Sequence, residues 1–142
     1  MKKIDLAYFA GFFDGEGTIL IDKYPKHYQL RVQVSQANRW ILERYRMAFG
    51  GTIYEPYRNS LTSKQRNRFW IWQAKSRVAL EFLQDIYPYL TLKQAEAKVA
   101  IEFQKTRSAR YAQRRNKQTE VELAIQEAQR ILVHNLKDRS KY

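Results

Sequence analysis

The stretch from Tyr8 to Gly17, with the sequence YFAGFFDGEG, constrains the fold more than any other part of the chain. It begins as an apolar segment of helical character and ends in two acids that alternate with glycines. Ala10 and Gly11 are small residues among bulky aromatic ones, and small residues on one face of a helix let a second backbone pack closely. The stretch therefore predicts a helix that packs against another helix through Ala10 and Gly11.

The acidic end of this helix allows two interpretations. A carboxylate at this point is suited to hold a hard divalent cation through oxygen, which fits magnesium better than zinc. Gly15 and Gly17 can adopt positive φ and let a ligand or another chain approach the backbone. Alternatively, a buried helix ends here in a glycine cap, and both acids are simply solvated. The stretch alone does not decide between the two.

The chain carries a large excess of positive charge. Its 26 Lys and Arg against 14 Asp and Glu give a formal net charge of +12. An excess of this size favours a polyanionic partner, and we expect that partner to be nucleic acid. A ribosomal or general RNA-binding protein would show the same imbalance, so the charge selects the class of partner and nothing finer.

Length, hydrophobic content and cysteine content limit the remaining classes. The 142 residues, 44% of them hydrophobic, predict one domain over residues 1–142 with a substantial core. The longest apolar run, Leu6 to Phe13, is too short to cross a bilayer and no signal peptide precedes it, so we expect an intracellular protein without a membrane partner. The lack of cysteine excludes disulfides and thiolate zinc sites and fits a reducing compartment.

Two segments after the glycine-acid stretch alternate as strands do. Residues 18–23 place Ile19 and Ile21 on one face, and residues 24–27 form a turn. Residues 28–35 have the clearest period of two, with one apolar face and a polar face of Gln29, Arg31, Gln33 and Ser35. Gln and Arg match the base edges of adenine and guanine in the major groove, so we favour a DNA-reading face over a merely solvated one.

The rest of the pattern predicts an α+β fold in the order helix, two strands, helix, two strands, helix, with further helices behind. The second pair of strands is expected at residues 52–57 and 69–74, the latter with Trp70, Trp72 and Ala74 inward. The expected helix caps are Asp5, Asn38, Ser76 and Thr119. Residues 106–118 predict a basic linker, either touching phosphates or solvated, and the last helix is expected to bury Val121, Ala124, Ile125, Ala128 and Leu132.

Residues Phe9 to Gly17, FAGFFDGEG, resemble the motif of the LAGLIDADG homing endonucleases position by position, with aromatics for aliphatics and Glu16 for the final Asp. The segment 88–95, PYLTLKQA, and the tail 136–141 are also similar to the family and follow in the same order. The resemblance spans nearly the whole chain. It implies the αββαββα homing-endonuclease fold, in which a curved four-stranded antiparallel sheet forms a DNA-binding saddle, followed by C-terminal helices.

The resemblance also implies catalytic roles. Glu16 would bind the divalent metal at the scissile phosphates, and the backbone carbonyl of Gly15 would be a second metal oxygen. Lys93 would polarise the attacking water or stabilise charge on the phosphate, and Gln36 would order water. From the residues alone, Lys93 is an ordinary surface lysine and Gln36 a strand-end glutamine satisfied by backbone. Mg²⁺ is the expected cofactor, with Mn²⁺ as a substitute and Ca²⁺ binding without supporting cleavage.

One motif supplies one metal-binding acid, whereas cutting both strands of a duplex needs two. We therefore predict a homodimer with an isologous interface. Its expected residues are Tyr8, Ala10, Gly11, Phe12 and Asp14. Asp14 is expected to be structural, bonding the helix end, rather than catalytic. The dimer would read a long, near-palindromic site in the major groove and cut across the minor groove, leaving short 3′ overhangs, with no small-molecule cofactor.

The residues expected to contact DNA lie on the polar strand faces, in the turn after the first strand, in the basic loop of residues 58–68 and in the tail. The basic loop is equally consistent with a solvated, disordered tip. The full set is Leu20, Asp22, Tyr24, His27, Gln29, Arg31, Gln33, Arg58, Arg66, Asn67, Arg68, Ile71, Gln73, Lys137, Arg139, Ser140 and Lys141.

Two rival functions on the same fold stay open, an RNA maturase that assists intron splicing and a catalytically inactive DNA-binding regulator. Both would keep a basic saddle and tolerate loss of the acid. The presence of Glu16, Gln36 and Lys93 together favours an active nuclease. A structural ribosome-associated protein would explain the charge but not the glycine-acid motif.

Overall fold

The computed structural model describes residues 1–57, 67–112 and 118–137. After the helix that ends at Ile86, a short 3₁₀ turn at residues 87–89 leads to two further helices. In chain order the helices and strands are α1 (Lys3–Glu16), β1 (Gly17–Lys23), β2 (Tyr28–Gln36), α2 (Arg39–Phe49), β3 (Thr52–Tyr54), β4 (Trp70–Lys75), α3 (Ser76–Ile86), α4 (Gln94–Ala112) and α5 (Glu120–Leu136). None of these helices has the length and apolar character needed to cross a membrane.

The four strands form one antiparallel sheet in the order β1-β2-β4-β3, which confirms the predicted αββαββα order and the antiparallel sheet. The period-two prediction is also confirmed, because Ile19, Leu30 and Val32 are fully buried while their neighbours along each strand are only partly covered. Strand β3 is shorter than expected and ends at Tyr54.

The inner face of the sheet is covered by an aromatic core that α1, α2 and α3 bring together. Tyr45 lies at its centre, with ring centroids 4.8 Å from Phe9 and 4.9 Å from Trp72. Phe82 contacts both Trp72 and Phe13 edge-on at 5.1 Å. The Tyr45 hydroxyl donates to the Phe9 carbonyl oxygen at 2.8 Å, and burial raises the pKa of this phenol far above its usual range. The core therefore fixes α1 against α2 through packing and one directed hydrogen bond.

Two predicted helix caps are confirmed. The Asn38 side-chain oxygen accepts from the Trp40 amide at 2.9 Å, and the Thr119 hydroxyl accepts from the Glu122 amide at 3.2 Å. Helix α2 ends at Phe49, before the glycine pair Gly50-Gly51. Gly51 has a φ of +85° and lies so close to β4 that a Cβ there would be 2.4 Å from the Gln73 carbonyl oxygen. Only glycine meets both requirements at this position.

Two other predicted caps are wrong. Helix α1 begins at Lys3, so Asp5 lies inside its first turn rather than at the cap. Ser76 is the first residue of α3 and has a positive φ of 51°, and its hydroxyl accepts from the Gln29 side chain at 3.3 Å. The serine hydroxyl thus joins α3 to β2 instead of capping its own helix.

The predicted basic linker is wrong over residues 106–112, which continue α4. Arg107 donates to the Tyr28 backbone carbonyl, and Arg110 forms an ion pair with Glu122 of α5. Burial lowers the pKa of the Arg107 guanidinium below its usual value. These two arginines therefore point into the fold, where they join α4 to the sheet and to α5. Residues 113–117 lie outside the described ranges.

The predicted buried stripe of α5 is also wrong, since the structure exposes every one of its members: Val121, Ala124, Ile125, Ala128 and Leu132. The buried residues of α5 are instead Gln126 and Val133. The helix contacts α4 and β1 through a face that is largely polar, and hydrophobic periodicity cannot identify such a face.

Glu127 attaches α5 to the edge of the sheet. Its carboxylate accepts from the Tyr28 hydroxyl at 2.6 Å and from Arg130 at 2.6 and 3.1 Å, and Lys23 Nζ lies 3.7 Å away. The hydrogen bonds from Arg130, followed by that from Tyr28, lower the pKa of Glu127 from 4.5 to about 2. The ionised form of Glu127 is therefore the one that the fold stabilises.

This depressed pKa predicts a pH-dependent contribution to stability. The contribution is complete above the unfolded-state pKa of 4.5 and is lost as the pH falls towards about 2. Glu127→Gln should lower the free energy of unfolding at neutral pH, and the gap to the wild type should narrow with acidification below 4.5. Urea unfolding from neutral pH to below 4.5 measures this difference in the free energy of unfolding. The control is Glu81→Gln, which removes an acid from the exposed pair with Arg77. A gap that is constant with pH would contradict the assignment.

Candidate functional site

Helix α1 has one buried face and one exposed face. Phe9, Ala10 and Phe13 are buried in the chain's own core, whereas Tyr8 and Gly11 are exposed and Phe12 is partly buried. Ala10 has no accessible surface, so the prediction that it lines an interface with a second chain is corrected. Ala10 is instead part of the chain's own buried core.

The two glycines of the exposed face have no packing role in the single chain. A Cβ built at Gly11 or at Gly15 meets no atom within 4 Å. Glycine inside a helix costs about 1 kcal/mol relative to alanine, and neither position has a backbone that requires it. Packing within one chain therefore gives no reason for glycine at these two positions.

Gly17 is required for close packing and not for an unusual backbone conformation. Its φ is −86°, and Gly15 lies within α1, so neither glycine uses the positive φ that it could adopt. A Cβ at Gly17 would lie 2.2 Å from the Phe13 ring. Strand β1 follows α1 without a loop, and its first residue, Gly17, lies against the Phe13 ring. The last turn of α1 therefore has a fixed direction relative to β1.

Asp14 connects the end of α1 to the start of α4. Its carboxylate accepts from the backbone amides of Thr91, Leu92 and Lys93 at 2.7, 3.1 and 3.0 Å, and it is 9% exposed. The Lys93 ammonium in turn donates to the Asp14 backbone carbonyl. The sequence predicts a structural role in which Asp14 bonds the end of its own helix. Its carboxylate instead bonds the segment before α4. Its side chain is committed within the chain, which corrects its place in the predicted dimer interface.

Glu16, the last residue of α1, is exposed two residues beyond Asp14. The final carbonyls of a helix have no partner within the helix, which leaves the Gly15 carbonyl oxygen available as a ligand. Together with the Glu16 carboxylate it belongs to the class of oxygen ligands that Mg²⁺ binds. Magnesium is commonly bound by one or two carboxylates with water and substrate phosphates completing six ligands. No group of three or more metal-ligating side chains occurs among the described residues.

Gln36 ends β2, as predicted, and its side-chain oxygen accepts from the amides of Ala37 and Asn38 at 3.0 and 3.5 Å. In this state the glutamine stabilises the turn into α2, which is the structural role left open by the sequence. Its proposed water-ordering role stays a prediction.

The outer face of the sheet is mostly polar. A depression of about 440 Å³ is lined by three cationic side chains, one acid and three uncharged residues. These are Lys23, Arg31, Lys75, Asp22, Tyr24, Tyr54 and Gln73. The predicted residues Leu20, Gln29, Gln33 and Ile71 are partly exposed on the strands around it. The structure therefore brings together the strand residues that the sequence proposed for DNA contact.

Arg31 is held in place at the centre of this face. Its Nε and Nη2 atoms donate to the two oxygens of Asp22 at 2.7 and 3.1 Å, and Nη1 donates to Gln33 at 2.5 Å. Donation to Asp22 raises the pKa of the Arg31 guanidinium, so the side chain is a permanent cation. Both carboxylate oxygens of Asp22 accept hydrogen bonds from Arg31, so within this chain Asp22 orients the arginine side chain.

The remaining predicted contacts divide by position. Tyr24 and His27 are exposed in the β1–β2 turn with rings stacked 4.9 Å apart. Asn67 is exposed, and Arg68 forms a two-point ion pair with Glu55 while lying 5.1 Å over the Trp70 ring. The predicted residues that lie outside the described ranges are Arg58, Arg66, Arg139, Ser140 and Lys141.

Lys137, the last described residue, lies near the charges of the site. Burial lowers the pKa of its ammonium, and the nearby carboxylates of Glu96 and Asp22 partly offset that effect. Arg31 and Lys93 also act on it and lower its pKa further. Lys137 is thus a half-buried cation whose charge interacts with groups of the outer face and with Lys93.

Sequence reasoning missed three residues that line the depression on the outer face, Lys23, Tyr54 and Lys75. Lys75 continues the alternation of Ile71 and Gln73, so ending the predicted strand one residue later would have found it. Tyr54 pairs directly with Ile71 across β3 and β4, and cross-strand partners share a face. The missing signal for Tyr54 was the pairing register, which the sequence does not carry.

No protein-family model matches the chain. Among solved structures it is similar to the homing endonuclease I-CvuI, determined in complex with a DNA target in the presence of magnesium. The TM-score is 0.74 at 20% identity, covering 96% of this chain and 83% of that one. A second complex of I-CvuI was determined with calcium.

Two further similar structures are also DNA complexes. The archaeal intron-encoded homing endonuclease I-Vdi141I gives a TM-score of 0.76 at 14% identity, over 98% of this chain and 87% of that one. The LAGLIDADG homing endonuclease I-GzeII gives 0.56 at 17% identity, over 84% of this chain and 40% of that one. The chain therefore has the homing-endonuclease fold, and its structural neighbours are LAGLIDADG homing endonucleases.

The contact between Gly17 and Phe13 predicts the cost of a substitution. Gly17→Ala should lower the free energy of unfolding by about 1–3 kcal/mol, because the new methyl overlaps a fully buried ring. The same substitution in a Phe13→Leu background should cost clearly less. Urea unfolding of the wild type, the two single variants and the double variant, at one protein concentration, measures the energetic coupling between residues 13 and 17. Equal costs of Gly17→Ala in both backgrounds would contradict the packing argument.

Proposed function

We propose that this chain is a LAGLIDADG homing endonuclease that cuts both strands of a specific DNA duplex as a homodimer. The observation that carries the proposal is the contact of the Lys93 ammonium with the Asp14 carbonyl, two residues before the exposed Glu16. This contact attaches Lys93 to the last turn of α1, which also carries Glu16, and so supports a site that would combine the two residues. This occurs on a fold whose structural neighbours were determined as homing endonucleases with DNA.

The partner we propose is double-stranded DNA, bound on the outer face of the sheet. A net charge of +12 and the cationic depression around Arg31 favour a phosphate-rich ligand. The glutamines and Arg31 supply hydrogen bonds suited to base edges in the major groove. Two copies would carry a formal charge of +24, twice the +12 of one chain. Affinity should fall with salt, by about 0.9 in log K per tenfold salt increase for each phosphate neutralised.

Glu16 and the Gly15 carbonyl are the residues that would hold a divalent cation, with Mg²⁺ the best fit to an all-oxygen set. When bound, such an ion supplies charge stabilisation at the phosphate and lowers the pKa of water. Lys93 would stabilise the negative charge that develops on the phosphate oxygens. Gln36 would orient the attacking water by exchanging its backbone hydrogen bonds for one to the solvent molecule.

The homodimer is supported by the exposed face of α1. Ile4, Tyr8, Gly11 and Gly15 follow one another at spacings of four, three and four, which places them on one side of the helix. Ile4 is 75% exposed and Tyr8 47% exposed, and the two glycines leave room for a second backbone. Pairing of this face with its own copy would set the two Glu16 residues side by side, one for each DNA strand.

The direct test of the catalytic acid is Glu16→Gln. We expect cleavage with magnesium to fall by about a thousandfold or more, because a metal ligand is lost, while affinity for the target stays nearly unchanged. Strand cleavage and binding are measured on the same target duplex. The matched control is Glu102→Gln, which removes the same charge from an exposed position on α4. A variant at Glu16 that cuts at the wild-type rate would contradict the assignment.

The dimer face is tested by Gly11→Leu. The single chain has space for this side chain, so we expect a folded protein that runs at the monomer mass of 17.1 kDa instead of twice that value. Light scattering coupled to gel filtration gives the mass, and circular dichroism checks the fold. Ala109→Leu adds the same side chain at an exposed position on α4 and should leave the mass doubled. If wild type and Gly11→Leu have the same mass, α1 is not the interface.

The Asp22–Arg31 pair predicts part of the target sequence. An arginine held by a carboxylate presents its remaining donors in one direction, and an arginine–guanine contact discriminates by about 1–3 kcal/mol. We expect a preferred guanine at one symmetric position in each half-site, lost in Arg31→Ala and weakened in Asp22→Asn. Sequencing of ends cut from a randomised duplex library measures it, with Glu43→Gln on α2 as control. Unchanged base preference in Arg31→Ala would refute the assignment.

A further inference from the structure

Asp14 joins two segments that the proposed reaction uses, and its contacts differ from those of an ordinary helix cap. The three amides it accepts belong to consecutive residues, Thr91 to Lys93, which lead into α4. These amides lie just before Gln94, the first residue of α4, so no hydrogen bond within that helix satisfies them, and a negative charge near a helix start is favourable. Here the capping carboxylate comes from another helix, 77 to 79 residues earlier in the chain.

The contact is reciprocal at Lys93. Its amide donates to the Asp14 side chain, and its ammonium donates to the Asp14 main chain. Both ends of the lysine are therefore fixed by one residue. The Lys93 carbonyl in turn accepts from Ala97 at 2.9 Å, which makes Lys93 the residue from which α4 starts. A shift at Asp14 would move the lysine backbone and its charged group together.

The same residue sets the position of the acid. Asp14 lies in the last turn of α1, two residues before Glu16, and the buried Phe13 beside it holds that turn against the sheet. Asp14 is 9% exposed and its carboxylate already accepts three amides, so it is poorly placed to bind a large ligand. We propose that Asp14 is a positioning residue that sets the distance between the Lys93 ammonium and the Glu16 carboxylate. This inference rests on the proposed nuclease function.

The alternative is that Asp14 only stabilises the fold, and a double-mutant cycle separates the two. Asp14→Asn should cut about 100-fold more slowly than wild type, because a displacement of about 1 Å in a catalytic group costs that much. In a Lys93→Ala background the same substitution should cost about threefold or less, since the group it positions is already absent. Equal losses in both backgrounds would overturn the proposal.

Two further measurements accompany the cycle. Amide hydrogen exchange at residues 91–93 should become faster in Asp14→Asn, whether or not the chain is a nuclease, and unchanged exchange would overturn the proposal. Asp85→Asn, an exposed acid on α3, is the matched control and should match the wild type in rate and exchange. If Asp14→Asn does not fold, the cycle is run with Asp14→Glu, which keeps the charge but displaces the capped segment.

The outcomes also separate this inference from the proposed function. A wild-type chain that does not cut any duplex in the library, or a Glu16→Gln variant that still cuts, would reject the nuclease assignment. A wild type that cuts, combined with additive losses in the cycle, would reject the positioning role alone. Faster exchange at residues 91–93 with additive kinetics would leave Asp14 as a cap without influence on Lys93, which also rejects it.

Discussion

The burial of one face of α1 is the constraint on which the rest of the molecule depends. Phe9 and Phe13 are fixed in the aromatic core by Tyr45 and Phe82, and the Tyr45 hydroxyl bonds to the helix backbone. Because β1 follows the helix without a loop, and passes directly under the Phe13 ring at Gly17, the end of the helix has one position relative to the sheet. The acidic turn is therefore rigid before any ligand arrives.

A rigid acidic turn becomes a candidate site only because other elements are attached to it. Asp14 brings the start of α4 to the turn through three backbone hydrogen bonds, and Lys93 arrives with that segment. Arg31 is fixed at the outer face of the same sheet by Asp22. Buried or half-buried polar groups with full sets of partners are expensive to disturb. The same interactions thus stabilise the fold and hold the charged groups in fixed positions.

Much of this was predictable from sequence, and the failures have physical causes. Strand alternation predicted both faces of the sheet because one side is wet and the other buried, as at Arg31 and Val32. Periodicity fails to predict the buried face of α5 because Gln126 is buried while Ile125 is exposed, the reverse of what it assumes. Arg107 was assigned to a linker because its partner, the Tyr28 carbonyl, is remote in sequence. Local patterns predict elements, whereas contacts between distant residues decide which polar groups face inward.

The central claim is that two copies of the chain form one nuclease, with one Glu16 for each DNA strand. The most direct measurement uses two co-expressed chains with different affinity tags, one wild type and one Glu16→Gln, purified through both tags in succession. The mixed particle should nick only one strand of the target, while doubly purified wild-type particles cut both. Failure to recover a doubly tagged particle, or cleavage of both strands by the mixed one, would contradict the account.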